Sequence, residues 1–267
     1  MEKIPVVILA GGQGTRMRNF SAKIPKALVP IGNMAVIEHI MRIYSHYGFN
    51  DFILSLGHMG DLIKRYFERE ENTRKFSIKI EDATLEYAPL KKDAFNITFV
   101  DTGTNTETGG RIKKLETKIN SDIFFATYCD GVSNVNIRKL LNFHKRKGKI
   151  ATLTAVHTMS PFGVLLTKEG MVTSFKEKPI LPGYINGGFF AFDRKIFEYL
   201  DEESILERAP LIRLVGEKQL AAYKHNGFWA CMDTHKDVNR LNEIWETGVF
   251  PETGIKFGKA PWKIWGN

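Results

Sequence analysis

The chain has 267 residues, of which 43% are hydrophobic, and these values are typical of one large globular domain. We therefore expect a single domain over residues 1–267. No apolar run approaches the roughly 18 residues of a membrane-spanning helix, and residues 1–5 lack the pattern of a signal peptide. The two cysteines, Cys129 and Cys231, are too few for a disulfide framework or a four-cysteine metal site, which favours a reduced, cytoplasmic protein.

The net charge of +8 comes from 38 Lys and Arg against 30 Asp and Glu. Such an excess indicates an anionic partner, either nucleic acid or a small molecule. The densest basic cluster, residues 144–149, contains Gly148 and is typical of a helix C-terminus, where cations interact favourably with the helix dipole. Because no nucleic-acid recognition motif is present, we expect a small anionic substrate, with no nucleic acid and no membrane as partner.

Apolar β-branched segments alternate with amphipathic ones along the chain. The predicted strands are Pro5–Leu9, Asp51–Leu56, Phe124–Tyr128, Ile150–His157 and Tyr184–Phe192. The predicted helices are Val36–Tyr47, Gly60–Glu70, Ile137–Lys147 and Arg194–Leu200. This alternation predicts an α/β fold with a doubly wound, mostly parallel, Rossmann-like sheet, whose ligands bind beyond the carboxyl ends of the strands.

Residues 80–113 break the alternation, and we predict that they form an inserted β-ribbon. Its strands are expected at Lys79–Glu86 and Asn96–Val100. The polar segment Thr102–Arg111 follows, and a loop so rich in Thr and Gly favours contact with phosphate or nucleotide.

Residues 250–267 form a tail rich in Gly, Pro and Trp. Leaving Trp262 and Trp265 in water would be unfavourable. We therefore expect the tail to dock on the body of the protein or on a neighbouring subunit.

A glycine-rich turn follows the first predicted strand. It comprises Leu9, Ala10, Gly11, Gly12, Gln13, Gly14, Thr15 and Arg16, and Lys26 follows ten residues later. Backbone N–H groups in such a turn approach phosphate oxygens closely, and the two cations add positive charge. The turn is not a Walker loop, since no Gly-Lys-Ser/Thr closes it, and Met17 replaces the third glycine of a dinucleotide fingerprint. The turn therefore predicts a triphosphate site.

Two aspartates follow apolar segments and are candidate metal ligands. Asp130 follows the strand Phe124–Tyr128, at the sheet edge where ligands bind, and Asp233 follows Trp229 in a similar context. Carboxylates suit Mg²⁺, which accompanies phosphates. The alternatives are a turn aspartate at Asp130 and an N-cap at Asp233.

Two further segments could bind a second substrate. Lys178 follows a short strand and could neutralise a phosphate, although a surface charge run would also explain it. Asn186 and Gly187 open a buried strand, where an amide can bind hydroxyls and glycine permits close approach, unless the glycines simply form a bulge. No nucleophile for acyl transfer is evident, which agrees with phosphoryl or nucleotidyl transfer.

These motifs, in this order, resemble those of the sugar-1-phosphate nucleotidyltransferases, and most closely the glucose-1-phosphate cytidylyltransferase branch. The resemblance runs from Val7 to Trp265. The opening motif indicates only the family. Thr108–Arg111, Tyr44–Gly48 and Lys259–Lys263 carry the resemblance to the cytidylyl branch.

The resemblance implies a nucleotidyltransferase-type sheet, a homo-oligomer, and a reaction of CTP with a sugar 1-phosphate that gives a CDP-sugar and pyrophosphate. It implies Mg²⁺ as cofactor, held by Asp130 and Asp233, and a catalytic role for Arg16 and Lys26. The implied nucleotide-binding residues are Leu9, Ala10, Gly11, Gly12, Gln13, Gly14, Thr15, Arg16, Lys26, Thr106, Arg111 and Cys129. The implied acceptor-binding residues are Gly163, Glu177, Lys178, Asn186 and Gly187.

The chain departs from the family pattern at several positions. Cys129 replaces a glycine, so that a side chain is expected near the nucleotide. Glu38 replaces a tryptophan and Ala209 a glutamate, at positions expected to set acceptor specificity or subunit contact. Other acceptors, such as another sugar, a polyol or an amino-acid-type phosphate, therefore stay open, as does a non-catalytic sensor of nucleotide sugars.

Overall fold

A computed structural model describes residues 3–14, 24–68, 76–80, 83–85, 95–160, 162–251 and 254–266. The strands are β1 (Val6–Leu9), β2 (Pro30–Ile31), β3 (Met34–Ala35), β4 (Asp51–Leu56), β5 (Phe76–Ile80), β6 (Ala83–Leu85), β7 (Phe95–Asp101), β8 (Ile123–Tyr128), β9 (Gly131–Ser133), β10 (Ala151–Val156), β11 (Val164–Lys168), β12 (Met171–Lys176), β13 (Ile185–Asp193), β14 (Leu220–His225), β15 (Trp229–Cys231), β16 (Val249–Phe250) and β17 (Ile255–Lys256). The α-helices are α1 (Val36–His46), α2 (Gly60–Glu68), α3 (Thr108–Lys113), α4 (Ile137–Lys147), α5 (Ala209–Gly216) and α6 (His235–Thr247). Short 3₁₀ helices span Lys26–Leu28 and Arg194–Tyr199.

A nine-stranded sheet in the order β14-β10-β13-β8-β1-β4-β7-β5-β6 forms the centre of the molecule. Strand β1 pairs in parallel with both β4 and β8, and β7 pairs in parallel with β4 and β5. The predicted α/β fold with a mostly parallel sheet is confirmed. Strand β13 is an exception, because it runs antiparallel to both β8 and β10.

The region predicted as an inserted ribbon differs from the expectation. Residues Asn96–Val100 belong to β7, inside the central sheet, and not to a ribbon. Strands β5 and β6 extend the same sheet at its edge, and residues 81–82 and 86–94 lie outside the described residues. Among the two-stranded sheets that are separate from the main sheet is the hairpin β11–β12, whose residues are mostly exposed.

Local signals explain where two of the flanking helices begin and end. The side chain of Asn136 accepts a hydrogen bond from the Lys139 N–H at the start of α4, and Gly148 ends this helix in the left-handed conformation. The basic cluster 144–149 is therefore a helix C-terminus, as predicted. Helix α6 begins with a capping box between Thr234 and Asp237.

Hydrophobic side chains pack against both faces of the sheet, and the tail completes one of these two layers. Trp262 is fully buried there and stacks on Phe228 with 5.3 Å between ring centroids. The predicted docking of the tail on the body is confirmed for this residue. Among the described residues, no helix is long and apolar enough to cross a membrane.

Glu38 does not lie where acceptor specificity or subunit contact could be set. Its side chain is 2% exposed and accepts hydrogen bonds from Arg42 at 2.7 Å and from the Tyr66 hydroxyl at 3.0 Å. An interior ion pair satisfies the carboxylate at this position. Ala209, by contrast, is exposed at the start of α5.

Candidate active site

The glycine-rich turn lies at the carboxyl edge of the sheet, directly after β1. Leu9 and Ala10 are buried, and the Ala10 N–H donates to the Ser55 carbonyl at 3.0 Å. Gly11, Gly12, Gln13 and Gly14 continue the turn, with Gly14 at a positive φ of 60°. Thr15 and Arg16, both predicted nucleotide-binding residues, lie outside the described residues.

Lys26 lies between the two predicted metal ligands. Its Nζ is 2.6 Å from Asp130 Oδ2 and 2.7 Å from Asp233 Oδ1. Asp130 directly precedes β9, and Asp233 lies two residues after the end of β15. Strands β9 and β15 pair antiparallel. The Met232 N–H also donates to the Asp130 carbonyl at 3.0 Å. The local pairing of β9 with β15 therefore brings together carboxylates that are distant in sequence.

The surroundings of Lys26 keep it charged. Burial lowers the pKa of Lys26, but the carboxylates of Asp130 and Asp233 more than offset this effect, and the net shift is upward. Burial is also the main cause that raises the pKa of Cys129 to about 12. The thiol is therefore neutral near pH 7, and it offers no thiolate nucleophile beside the carboxylates.

The two carboxylates fit a divalent cation that substrate phosphates would also bind. Within the described part of the chain, no group of three or more His, Cys, Asp or Glu side chains could hold a metal. A pair of carboxylates is nevertheless the usual protein contribution to a hard cation bound with a nucleotide. The N-cap alternative for Asp233 is wrong, because Thr234 caps α6 and leaves the Asp233 carboxylate at the site.

Arg111 holds together the loops that adjoin the glycine-rich turn. Its side chain is 3% exposed, and its guanidinium lies within hydrogen-bond distance of the carbonyls of Gly11 (2.9 Å), Leu56 (3.0 Å) and Gly103 (2.9 Å) and of Thr102 Oγ1 (2.7 Å). A Cβ on Gly11 would lie 2.1 Å from Arg111 Nη1, so this close approach requires glycine. The structure thus gives Arg111 a role in shaping the turn, and its direct contact with nucleotide stays a prediction.

Two other predicted nucleotide-binding residues, Thr106 and Cys129, lie close to Arg111 and its hydrogen-bond partners. The Thr106 hydroxyl donates to the Thr102 carbonyl at 2.5 Å, within the segment predicted as a polar loop. The end of that segment is helical, since α3 begins at Thr108. Cys129 is 9% exposed and packs in the hydrophobic core, so little of its side chain reaches the surface.

The predicted acceptor residues come from two segments. Asn186 and Gly187 open β13, where Asn186 Nδ2 donates to the Tyr128 hydroxyl at 3.3 Å and the Trp229 indole N–H donates to the Gly187 carbonyl at 2.8 Å. The bulge considered for these glycines is confirmed by a register shift between β13 and β10. Gly163 and Glu177 adjoin each other, because a Cβ on Gly163 would lie 3.1 Å from Glu177 Oε2.

Lys178 adopts a left-handed backbone conformation, with φ at 44°, and lines a cavity of about 870 Å³. The cavity lies beyond the ends of β10 and β14, is lined by β15 and reaches the start of α6. Its wall includes His157, Cys231 and Thr234, so it flanks the position of Asp233. This places Lys178 at the same edge of the sheet as the carboxylates.

Sequence reasoning missed three side chains that the structure places at this edge, namely Tyr128, Glu207 and Trp229. Tyr128 bonds to both Asn186 and Glu207, and Trp229 bonds to Gly187. The position of Tyr128 at the carboxyl end of β8, two residues before Asp130, is a signal that could have identified it. Glu207 lies in no motif, and only the fold brings it to the site.

Comparison with known proteins agrees with this geometry. A family profile described as nucleotidyl transferase matches residues 5–252. The chain is 40% identical over 262 residues to a Bacillus subtilis protein named "Probable glucose-1-phosphate cytidylyltransferase", covering 97% of this chain and 99% of that protein. It is 38% identical over 269 residues to the glucose-1-phosphate cytidylyltransferase of Salmonella typhimurium, covering 97% and 98%.

Solved structures give the same architecture. HddC from Yersinia pseudotuberculosis, complexed with GMP-PN, superposes with a TM-score of 0.66 and 22% identity, covering 90% of this chain and 98% of that one. At this identity, the structural likeness shows the fold alone.

Proposed function

This chain belongs to the nucleotidyl transferase family, and from that premise we propose that it is a Mg²⁺-dependent cytidylyltransferase. It joins CTP to a sugar 1-phosphate, with glucose 1-phosphate as the best candidate, and releases a CDP-sugar and pyrophosphate. The observation that carries this proposal is the cluster of Lys26, Asp130 and Asp233 at the carboxyl edge of the sheet, beside the glycine-rich turn. The names of the Bacillus and Salmonella relatives support the choice of CTP and glucose 1-phosphate.

The proposed reaction is a single in-line displacement. An oxygen of the acceptor phosphate forms a bond to the α-phosphorus of CTP, and the bond from that phosphorus to the α–β bridging oxygen breaks. Pyrophosphate leaves with the electron pair of that bond. The absence of a thiolate at Cys129 is consistent with a substrate phosphate acting as the nucleophile.

The chain's own residues would bind and orient the two phosphates. Backbone N–H groups of the turn 9–14 hold the triphosphate, with Arg16 and Lys26 supplying charge to the transition state. Asp130 and Asp233 hold Mg²⁺, which when bound neutralises phosphate charge and orients the triphosphate. Lys178 meets the acceptor phosphate.

The sugar would bind at the start of β13. Asn186 there has donors and acceptors for sugar hydroxyls, and Gly163, Glu177 and Gly187 complete the acceptor side. Since CTP and sugar phosphates are intracellular metabolites, and Cys129 and Cys231 are free thiols, we expect the enzyme in the cytoplasm.

We also infer that the chain self-associates. The hairpin β11–β12 exposes apolar side chains that include Leu166, Met171 and Phe175. A two-stranded hairpin is marginally stable alone, and contact with a second copy would bury these side chains. Sedimentation of the wild type and of Leu166→Lys tests this, and a monomeric wild type would contradict it.

The test of the proposed function is pyrophosphate release over a grid of nucleoside triphosphates and phosphorylated acceptors, with and without Mg²⁺. We expect turnover with CTP and glucose 1-phosphate, and loss of turnover when EDTA removes the metal. Turnover with CTP and only another acceptor would correct the acceptor. Binding of CDP-glucose without any turnover would support a sensor in place of an enzyme.

A further inference from the structure

The segment 202–207 packs unusually closely against the start of α3. A Cβ on Gly109 would lie 2.7 Å from the Ser204 carbonyl oxygen, and one on Gly110 would lie 2.1 Å from the Glu202 carbonyl oxygen. The Gly110 N–H donates to the Ser204 carbonyl at 2.9 Å. The two glycines therefore allow two backbones to touch, and they fix the segment 202–207 relative to α3.

Glu207, at the end of that segment, accepts hydrogen bonds from two hydroxyls. Thr108 donates through Oγ1 to Glu207 Oε2 at 2.8 Å, and the Tyr128 hydroxyl donates to Glu207 Oε1. Thr108 Oγ1 itself accepts from the Leu206 N–H at 3.0 Å, which orients its proton toward Glu207. One carboxylate thus joins α3 to the end of β8.

Tyr128 passes this constraint to Asn186. The Tyr128 hydroxyl, whose proton is engaged by Glu207, accepts from Asn186 Nδ2 at 3.3 Å, and Asn186 Oδ1 accepts from the Gly188 N–H at 2.9 Å. Both ends of the amide are therefore oriented, and no described residue bonds to its second N–H, which is available for a ligand. Gly188, with φ at 77°, would place a Cβ 2.5 Å from the Tyr128 ring, so the contact with β13 is also close.

The same helix reaches the nucleotide side. Arg111 lies three residues after Thr108 on α3, and its guanidinium contacts the Gly11 carbonyl at 2.9 Å. Helix α3 is therefore in contact with the glycine-rich turn through Arg111 and with Asn186 through Thr108, Glu207 and Tyr128.

We propose that Glu207 is a positioning residue for the acceptor: through Tyr128 it fixes the Asn186 amide for a sugar hydroxyl, and through Thr108 it ties that amide to α3. This inference rests on the proposed function for the identity of the acceptor. The positioning role itself is argued from the hydrogen bonds. Glu207 is an exposed residue with no direct contact to Asn186 in the described structure, so it acts on Asn186 through Tyr128.

The variant Glu207→Gln tests the proposal, because its carboxamide has one acceptor oxygen and cannot accept from both hydroxyls. We expect KM for glucose 1-phosphate to rise about tenfold, as for loss of a hydrogen bond to a charged group, with KM for CTP changed less than about twofold. Tyr128→Phe should give the same rise, and the double variant no further rise, because both changes break one network. Glu203→Gln, an exposed carboxylate on the same segment, is the matched control and should behave as the wild type.

A merely structural role predicts a different pattern. In that case Glu207→Gln would lower Tm and affect both substrates alike, whereas we expect Tm to change by less than about 2 °C for an exposed position. An unchanged KM for the acceptor, or effects of Glu207→Gln and Tyr128→Phe that multiply, would overturn the proposal.

Hydrogen–deuterium exchange gives a readout that needs no turnover. The amides of Gly110 and Gly188 bond to Ser204 and Asn186, so peptides containing them should exchange faster in Glu207→Gln than in Glu203→Gln. If exchange is faster in Glu207→Gln and the wild type shows no turnover, the positioning role is supported and the proposed function is refuted. If exchange in Glu207→Gln equals that in Glu203→Gln and the wild type is active, only the positioning role is refuted.

Discussion

The indole N–H of Trp262 donates a hydrogen bond to His39 Nδ1 at 3.2 Å, in the interior of the protein. The other ring nitrogen, Nε2, lies 2.9 Å from the Ile31 carbonyl and must donate to it. His39 is therefore neutral, with its proton on Nε2, because protonation of Nδ1 would oppose the indole N–H. The docked tail depends on this neutral imidazole.

This arrangement predicts a loss of stability at acidic pH. Burial lowers the pKa of His39 from 6.5 to about 4, so between these values the unfolded chain binds more protons than the folded one. The contribution of His39 to the free energy of unfolding should be complete above pH 6.5. It should decrease by about 3 kcal/mol as the pH falls toward 4. Burial also lowers the pKa of His144 and His225, which adds to the same trend.

Urea unfolding between pH 4.5 and 7.5 measures this slope. His39→Gln keeps a donor and an acceptor but does not titrate, and we expect a flatter dependence on pH than in the wild type. Equal slopes for the two proteins would assign the pH dependence to other groups.

Asp130→Asn should lower kcat by at least about a hundredfold, because one of two predicted metal ligands loses its charge. The fold should persist, since Lys26 keeps its ion pair with Asp233. Steady-state kinetics over a range of Mg²⁺ concentrations checks this, with Asp61→Asn, an exposed carboxylate on α2, as control. Activity near that of the wild type would remove Asp130 from the metal site.

Lys26→Met should destabilise the metal-free protein by about 2–4 kcal/mol, because Asp130 and Asp233 would both lose their ion pair with Lys26. Added Mg²⁺ should restore part of this loss, and should raise Tm more in Lys26→Met than in the wild type. Thermal unfolding in EDTA and in Mg²⁺ measures both effects, with Lys64→Met as the surface control. If Mg²⁺ raises Tm equally in both proteins, metal and lysine do not share the carboxylates.

Arg111→Lys should destabilise the protein by about 2–3 kcal/mol, since an ammonium cannot serve the carbonyls of Gly11, Leu56 and Gly103 in the planar geometry of guanidinium. Urea unfolding measures this loss, and Arg208→Lys is the exposed control. KM for CTP should rise with the loss of stability, because the same hydrogen bonds of Arg111 shape the glycine-rich turn. A raised KM with unchanged stability would instead assign Arg111 to direct nucleotide contact alone.

Local patterns were sufficient to predict many elements of the fold. The bounds predicted for Asp51–Leu56 and Ile137–Lys147 are those observed, because strand periodicity and capping signals are contained within each segment. The direction of β13 was beyond such reasoning, since a buried strand has the same apolar pattern in either direction. The start of α3 was also missed, because Gly109 and Gly110 disfavour a helix unless another backbone must pass close to them.

Candidate site residues could be proposed from the sequence one by one, but their arrangement could not. Asp130 and Asp233 were identified by their position after apolar segments, yet the spacing gives no indication that Lys26 lies between them. That contact depends on the pairing of β9 with β15, and the role of Glu207 depends on the packing of its segment on α3. Tertiary contacts of this kind leave no local signal in the sequence.

Lys26 and Asp233 are 207 residues apart in the chain and 2.7 Å apart in space. A polypeptide that ends before this aspartate would have the glycine-rich turn but only one of the two carboxylates, and it would also lack Trp262 in its core. Such a fragment could form neither the pair of carboxylates around Lys26 nor the apolar layer that contains Trp262. Proposed cation binding at this pair therefore reports that two segments far apart in sequence have folded onto each other.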